Sequence, residues 1–266
     1  MYAVVAICIV VALLGARAWL KWRARRAAEY ATCLSADETN AILADDPDGF
    51  VASLTKWDVR ARGVRSPEAY MRRISSAGKD FTDAERFMVY RLAREADAKF
   101  AGITEIDGRA AAALEWTIAK VSDDYERSMA HTRRIGPGRI VIFIPESALR
   151  ESRDDMLDTL VHEKVHMYQK AYPIETKAWI RARGFTRWMR RVDLAATGVR
   201  IRSNCDLDEW VYVTPDARRP MLIEYDTETN DETQAAMEHP YELMAYGIAK
   251  TVSKKSGSFP SIRGAA

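Results

Sequence analysis

The stretch from Ser152 to Tyr172, SRDDMLDTLVHEKVHMYQKAY, constrains the fold of this chain more than any other. Wound as a helix at about 100° per residue, it sets Leu157, Leu160, Val161 and Tyr168 on one side. Thr159, His162 and His166 fall on the opposite side, with Glu163 beside the histidines. Ser152 is the expected N-cap, and Asp154 and Asp155 complement the positive end of the helix dipole. Such a helix needs an apolar core against one flank and a polar partner on the other. Two imidazoles one turn apart can share a single ion, and zinc suits imidazole nitrogen. Glu163 directly follows His162 and points off the ligand line, where it can reach a water without taking a coordination position.

Histidine is scarce, with four in 266 residues: His131, His162, His166 and His239. Two of them at this spacing therefore carry information that abundance does not explain. The three cysteines, Cys8, Cys33 and Cys205, are odd in number and form no CxxC. That argues against a disulfide framework and against a thiolate zinc site. A formal net charge of +2 argues against a nucleic-acid partner.

The N-terminus has a different character. MYAVVAICIVVALLGA carries no side-chain charge, and RAWLKWRARR follows it. Residues 1–20 as a helix span about 30 Å, roughly one bilayer core. Lys21, Arg23, Arg25 and Arg26 come after the apolar run, whereas a cleaved signal peptide carries its charge before it. The expectation is a single-pass transmembrane anchor with the bulk of the chain on the cytosolic side. A cleaved leader and an apolar helix packed on the domain are the alternatives.

The region from 21 to 125 reads as helical. SADETNAILA has a capping-box pattern from Ser35 to Glu38, and SPEAYMRRI has Ser66 as N-cap with Pro67 at the first position. TDAERFMVYRLAREADAKF starts at Thr82. DGFVASLTKWDVRAR, with Phe50, Leu54 and Trp57 at helical spacing, and GRAAAALEWTIAKVSDDYERSMA, rich in helix formers, are also expected to be helices. Beyond the Gly136-Pro137-Gly138 turn, Arg139 to Ile144 is an apolar β-branched run, expected as a strand. EWVYVT and PMLIEYDT are expected as two further strands. A last helix runs from about Pro240 to Val252, and 254–266 reads as a loose tail.

His162, Glu163 and His166 in TLVHEKVHMYQ give the chain its resemblance to the zincin metallopeptidases, over roughly residues 126–252. Lys164 departs from the uncharged residue usual at that position, and on the wheel it lies in the apolar stripe, so it requires a carboxylate partner or a route to solvent. No third histidine follows at the metzincin spacing. The resemblance is to the glutamate class, whose third ligand lies on a later helix in an ExxA pattern. It implies His162, His166 and Glu242 as zinc ligands, the last from EHPYELMAYGIAK, with Glu238 and His239 as alternatives. Glu242 as a simple N-terminal capping residue is the other reading. The resemblance further implies Glu163 as general base and Tyr246, one turn beyond Glu242, as an oxyanion donor. It also implies an edge strand above the zinc helix that pairs with an extended peptide, a part assigned to Arg139–Ile144, with His131 facing the cleft. Asp206, Asp208 and Asp231 are candidates to orient the ligand histidines.

The expected fold class is α+β: a mainly helical, zincin-like core with a small sheet and the HExxH helix, preceded by a transmembrane helix. The expected division is an anchor at 1–20, a helical region at 21–125, a metal-binding core at 126–253 and a tail at 254–266. The expected function is hydrolysis of peptide or protein substrates by a membrane-anchored zinc peptidase. The alternative is a catalytically silent zincin-like scaffold.

Overall fold

The computed structural model describes residues 30–214, 216, 219–226 and 239–253. The expected anchor at 1–20, the tail at 254–266, Cys8, Asp231 and Glu238 lie outside the described residues. Within them no helix is long and apolar enough to cross a membrane.

The elements in chain order are β1 (Ala31–Cys33), α1 (Ala36–Asp45), α2 (Lys56–Ala61), α3 (Pro67–Ile74), β2 (Gly78–Lys79), α4 (Asp83–Phe100), α5 (Gly108–Ala112) and β3 (Trp116–Val121). Then come β4 (His131–Gly136), β5 (Arg139–Pro145), α6 (Arg153–Ala171), α7 (Pro173–Ala182), β6 (Thr186–Arg190), α8 (Arg191–Ala196), β7 (Trp210–Val213), β8 (Pro220–Met221) and α9 (Pro240–Ser253). The fold is mixed α+β. Its main sheet runs β1-β3-β5-β4, and β2 continues the place of β1 beside the second half of β3. β1, β3 and β5 are parallel, while β4 returns antiparallel to β5. A smaller sheet of β6, β7 and β8 stands apart.

β5 explains the layering. Its run of alternating apolar side chains is buried on both faces, as parallel strands under two helical layers must be. Ile140, Ile142 and Ile144 point into one core with α4, α6 and α9. Val141 and Phe143 point into a second core with α1, α2 and α3. The molecule is therefore three layers deep, and the sheet separates a small-helix side from a long-helix side.

Local capping signals set the helix starts. Ser35, Thr55 and Thr82 form reciprocal capping boxes with Glu38, Asp58 and Glu85. Ser66 and Ser152 also cap as expected. Two expected helices are not there as such. Residues 48–62 form turns followed by the short α2, because the Thr55 cap restarts the chain. In GRAAAALEWTIAKV only Gly108–Ala112 is helical, and Trp116–Val121 is β3, between β1 and β5. The expected boundary at 125/126 thus cuts through a sheet, since β3 before it pairs with β5 after it.

The link from β3 to β4 is strained. Glu126, Arg127 and Ser128 have φ of 45°, 57° and 61°. A left-handed turn of non-glycine residues costs roughly 1–2 kcal/mol per residue. It is held by Glu126, whose buried carboxylate takes Arg62 Nη2 at 2.5 Å and the Tyr70 hydroxyl at 2.8 Å.

Candidate metal centre

α6 and α9 lie along one another and bring three ligand atoms together. His162 Nε2 and His166 Nε2 are 3.0 Å apart. Glu242 Oε2 is 3.2 Å from the first and 3.6 Å from the second. Ligands about 2.0–2.2 Å from a tetrahedral ion are separated by ~3.3–3.5 Å. The three donors thus already stand near the spacing of one tetrahedral face, and their chemistry, two imidazoles and a carboxylate, fits zinc. Glu242 is in the first turn of α9 and its other oxygen accepts from Asn204 Nδ2 at 3.1 Å. It is not merely a capping residue.

Charge in the site is arranged to favour a cation. Burial acts against a charged His166, but Asp206 and Glu242 outweigh it and lift the imidazole to about 10. Burial would raise Glu242, yet His166 and His162 hold it well below the usual carboxylate range. The position between the three groups thus calls for positive charge, from a proton or from a metal ion that displaces it.

Gln169, which sequence reasoning missed, orients the second histidine. Its amide nitrogen donates to the Tyr241 carbonyl at 2.9 Å and reaches Met244 Sδ at 3.4 Å. Its oxygen is left facing His166 Nδ1 at 2.8 Å. Nδ1–H therefore donates to Gln169, and Nε2 is the atom turned to the triad. The signal was one turn of helix: Gln169 stands three residues beyond His166.

Glu163 is buried beside the triad. The Thr132 hydroxyl donates to its Oε2 at 2.7 Å. Burial is the main cause that pushes this carboxyl up to about 8, and the charge of Asp206 adds to it, against His166 and Thr132. Positive charge brought into the triad works in the opposite direction. Tyr246 is half exposed at the rim, its ring 4.4 Å from that of His162.

Lys164 finds the partner it requires. It is fully buried, with Nζ 3.3 Å from Asp97 Oδ1 and 2.5 Å from the Leu114 carbonyl, over the face of Trp116. Burial lowers its pKa to about 8, and Asp97 opposes that shift. The departure from the usual motif is thus absorbed by the long-helix core rather than by the site.

Four expectations are corrected. The edge strand is β4, not Arg139–Ile144: β5 lies between β4, paired over Arg139–Phe143, and β3, paired over Ile142–Pro145. His131 does not face the cleft. Strand alternation turns it to the other face, where it stacks on Phe143 with ring centroids 5.1 Å apart. His239 is not at the triad but bonds Asp208 and the Trp210 carbonyl. That also removes Asp208 as a partner of the ligand histidines. Asp206 does lie close by, and it accepts the Thr132 backbone N–H at 2.8 Å.

A short loop, Ser203 to Asp206, closes over the centre. Ser203 bonds Asp58, Asn204 bonds Glu242, the Cys205 carbonyl accepts from Lys170, and Asp206 holds Thr132. No protein-family model matches this chain, and no curated protein or solved structure matches it either.

Proposed function

We propose that this chain is a membrane-anchored zinc metallopeptidase with a zincin-like core. The observation that carries the reading is the convergence of His162, His166 and Glu242, with the Glu163 carboxyl buried beside them. Those three residues would hold the ion. A zinc ion there supplies Lewis acidity, lowering the pKa of water to about 7 and polarising a scissile carbonyl. Glu163 is the general base: it takes a proton from the attacking water and returns it to the leaving amine. Thr132 fixes one oxygen of Glu163 and leaves the other for that task. Tyr246, at the rim, donates from its hydroxyl to the carbonyl oxygen as negative charge builds there. An extended peptide lies along β4, the edge of the sheet, and takes the Thr132 N–H from Asp206 as it does so. Residues 1–20 anchor the chain, and the basic run that follows keeps the catalytic part on the cytosolic side.

A second reading, a metal-holding scaffold without turnover, is favoured by one contact: Asp206 occupies the outward N–H of Thr132, where an edge-pairing peptide would bond. A peptide-library cleavage assay on the zinc-loaded full-length protein, with and without chelator, separates the two. The peptidase reading expects chelator-sensitive cleavage, and expects Glu163→Gln to keep zinc while turnover falls by about 10²–10⁴. Full zinc occupancy with no cleavage of any peptide leaves the scaffold.

A further inference from the structure

Beside the centre lies a cavity of about 360 Å³, between the C-terminal end of α6 and the small sheet. Gln169 and Tyr241, which hold His166 in place, form part of its wall. Four cations line it: Arg134 from β4, Lys170 from α6, Lys177 from α7 and Arg187 from β6.

Three carboxylates share its wall, and each has a partner other than these cations. Asp208 takes the Trp210 N–H, the Tyr212 hydroxyl and His239. Asp206 takes Thr132, and Glu209 pairs with Arg190. The cations are not matched in this way. Lys170 donates to the Cys205 carbonyl, and Arg187 meets the Tyr212 hydroxyl at 3.5 Å and lies over the Trp210 ring, with Asp208 acting on it at longer range. Among the described residues, none of the four is ion-paired to a carboxylate. The four cations outnumber the three carboxylates of the wall, and those carboxylates are bonded to other partners.

Arg134 connects the cavity to the cleft. Thr132 and Arg134 are two apart on β4, so their side chains share the face toward α6, where Thr132 meets Glu163. Thr132 turns its N–H out of the sheet to Asp206, and antiparallel alternation turns the Arg134 backbone outward as well. A peptide that displaces Asp206 from the Thr132 N–H and pairs to this edge would run past Arg134 within a residue or two of the bond facing Glu163.

We infer that this cavity is a specificity pocket for an acidic side chain of the substrate, with Arg134 as its principal selector. The inference rests on the peptidase reading, and an Arg guanidinium with flanking ammonium groups is the donor set that grips a carboxylate.

The test measures equilibrium binding of labelled short peptides, in pairs differing only by Glu or Gln at one position, to full-length Glu163→Gln protein, which binds without turnover. At one position the Glu member should bind at least ~10-fold tighter, with a preference that shrinks as salt rises. Arg134→Glu, a change at an exposed site, should abolish the preference and favour Lys at that position instead. Equal binding of Glu and Gln members throughout overturns the pocket, even where the parent cleaves both. A preference that survives Arg134→Glu overturns its assignment as selector. Acid-selective binding without any cleavage by the zinc-loaded parent leaves the pocket standing and removes the peptidase reading.

Discussion

Two buried polar clusters sit on opposite sides of the main sheet, and they are built on opposite principles. On the small-helix side, Arg62 lies between Asp58 and Glu126, and Glu126 also takes the Tyr70 hydroxyl. Asp58 accepts from Thr55, Ser203 and Tyr225. Charges there are matched by opposite charges or by donors, so the network is complete in itself. On the long-helix side, two imidazole nitrogens and a carboxylate oxygen face one another. Those three atoms share one point that calls for positive charge, from a proton or from an ion that displaces it. Burial is common to both clusters; what separates a structural network from a ligand site is whether the chain supplies its own counterpart.

Breaking the complete cluster should be the more damaging to stability. Arg62→Met leaves Glu126 buried without its partner and should cost about 3–5 kcal/mol in denaturant unfolding. A loss under ~1 kcal/mol would mean that the network is not the support of the strained 126–128 turn. The open cluster should respond in affinity instead. Glu242→Ala should weaken zinc binding by more than ~100-fold in competition with a chromogenic chelator, beyond what loss of a supporting group causes. Unchanged affinity would remove Glu242 from the ligand set. Gln169→Leu should cost less, about 10–100-fold, because it frees the ring of His166 without deleting a ligand. If zinc affinity does not move, the Gln169 contact is packing alone.

The mildest separation is by pH. Burial raises the Asp58 and Glu126 carboxyls, but the hydroxyls, amide and guanidinium around them outweigh it and hold both below the usual range. Folded values below unfolded ones give stability that is complete above about pH 4–5 and drains as pH falls through the folded values. The difference in melting temperature between the parent and Arg62→Met, which isolates this cluster from Glu163 and His166, should hold steady from about pH 7 down to that point and shrink below it. A difference indifferent to acid would contradict the matched-charge description.

What could be read from the residues follows the range of the forces involved. Helix starts at Ser35, Ser66, Thr82 and Ser152 depend on contacts three residues away, so they are written locally. The histidine pair is equally local, one helical turn apart. β3 was hidden because AAAALEW favours helix, and only partners distant in sequence favour strand. Trp116 and Ile118 fill the long-helix core while Ala119 and Val121 fill the other, and β1 and β5 supply the backbone bonds. The edge was misassigned for the same reason: β5 is the more apolar strand, and apolar on both faces means interior. Gln169 carried no motif, since an amide is common and its role depends on Tyr241, far away in the chain. The fate of Lys164 likewise required Asp97, on a helix far earlier in the sequence.

The Ser203–Asp206 loop has a thermodynamic consequence. One end is fastened to Asp58 in the matched network and the rest to Glu242 and Thr132 beside the ligand atoms. Free energy released by an ion bound at the triad would thereby be shared across the sheet, and the lobe that does not touch the triad should melt later because of it. The two halves of the molecule should rise and fall together, and calorimetry should give a single cooperative peak that shifts upward as zinc is added; two separate peaks, or no shift, would break this coupling.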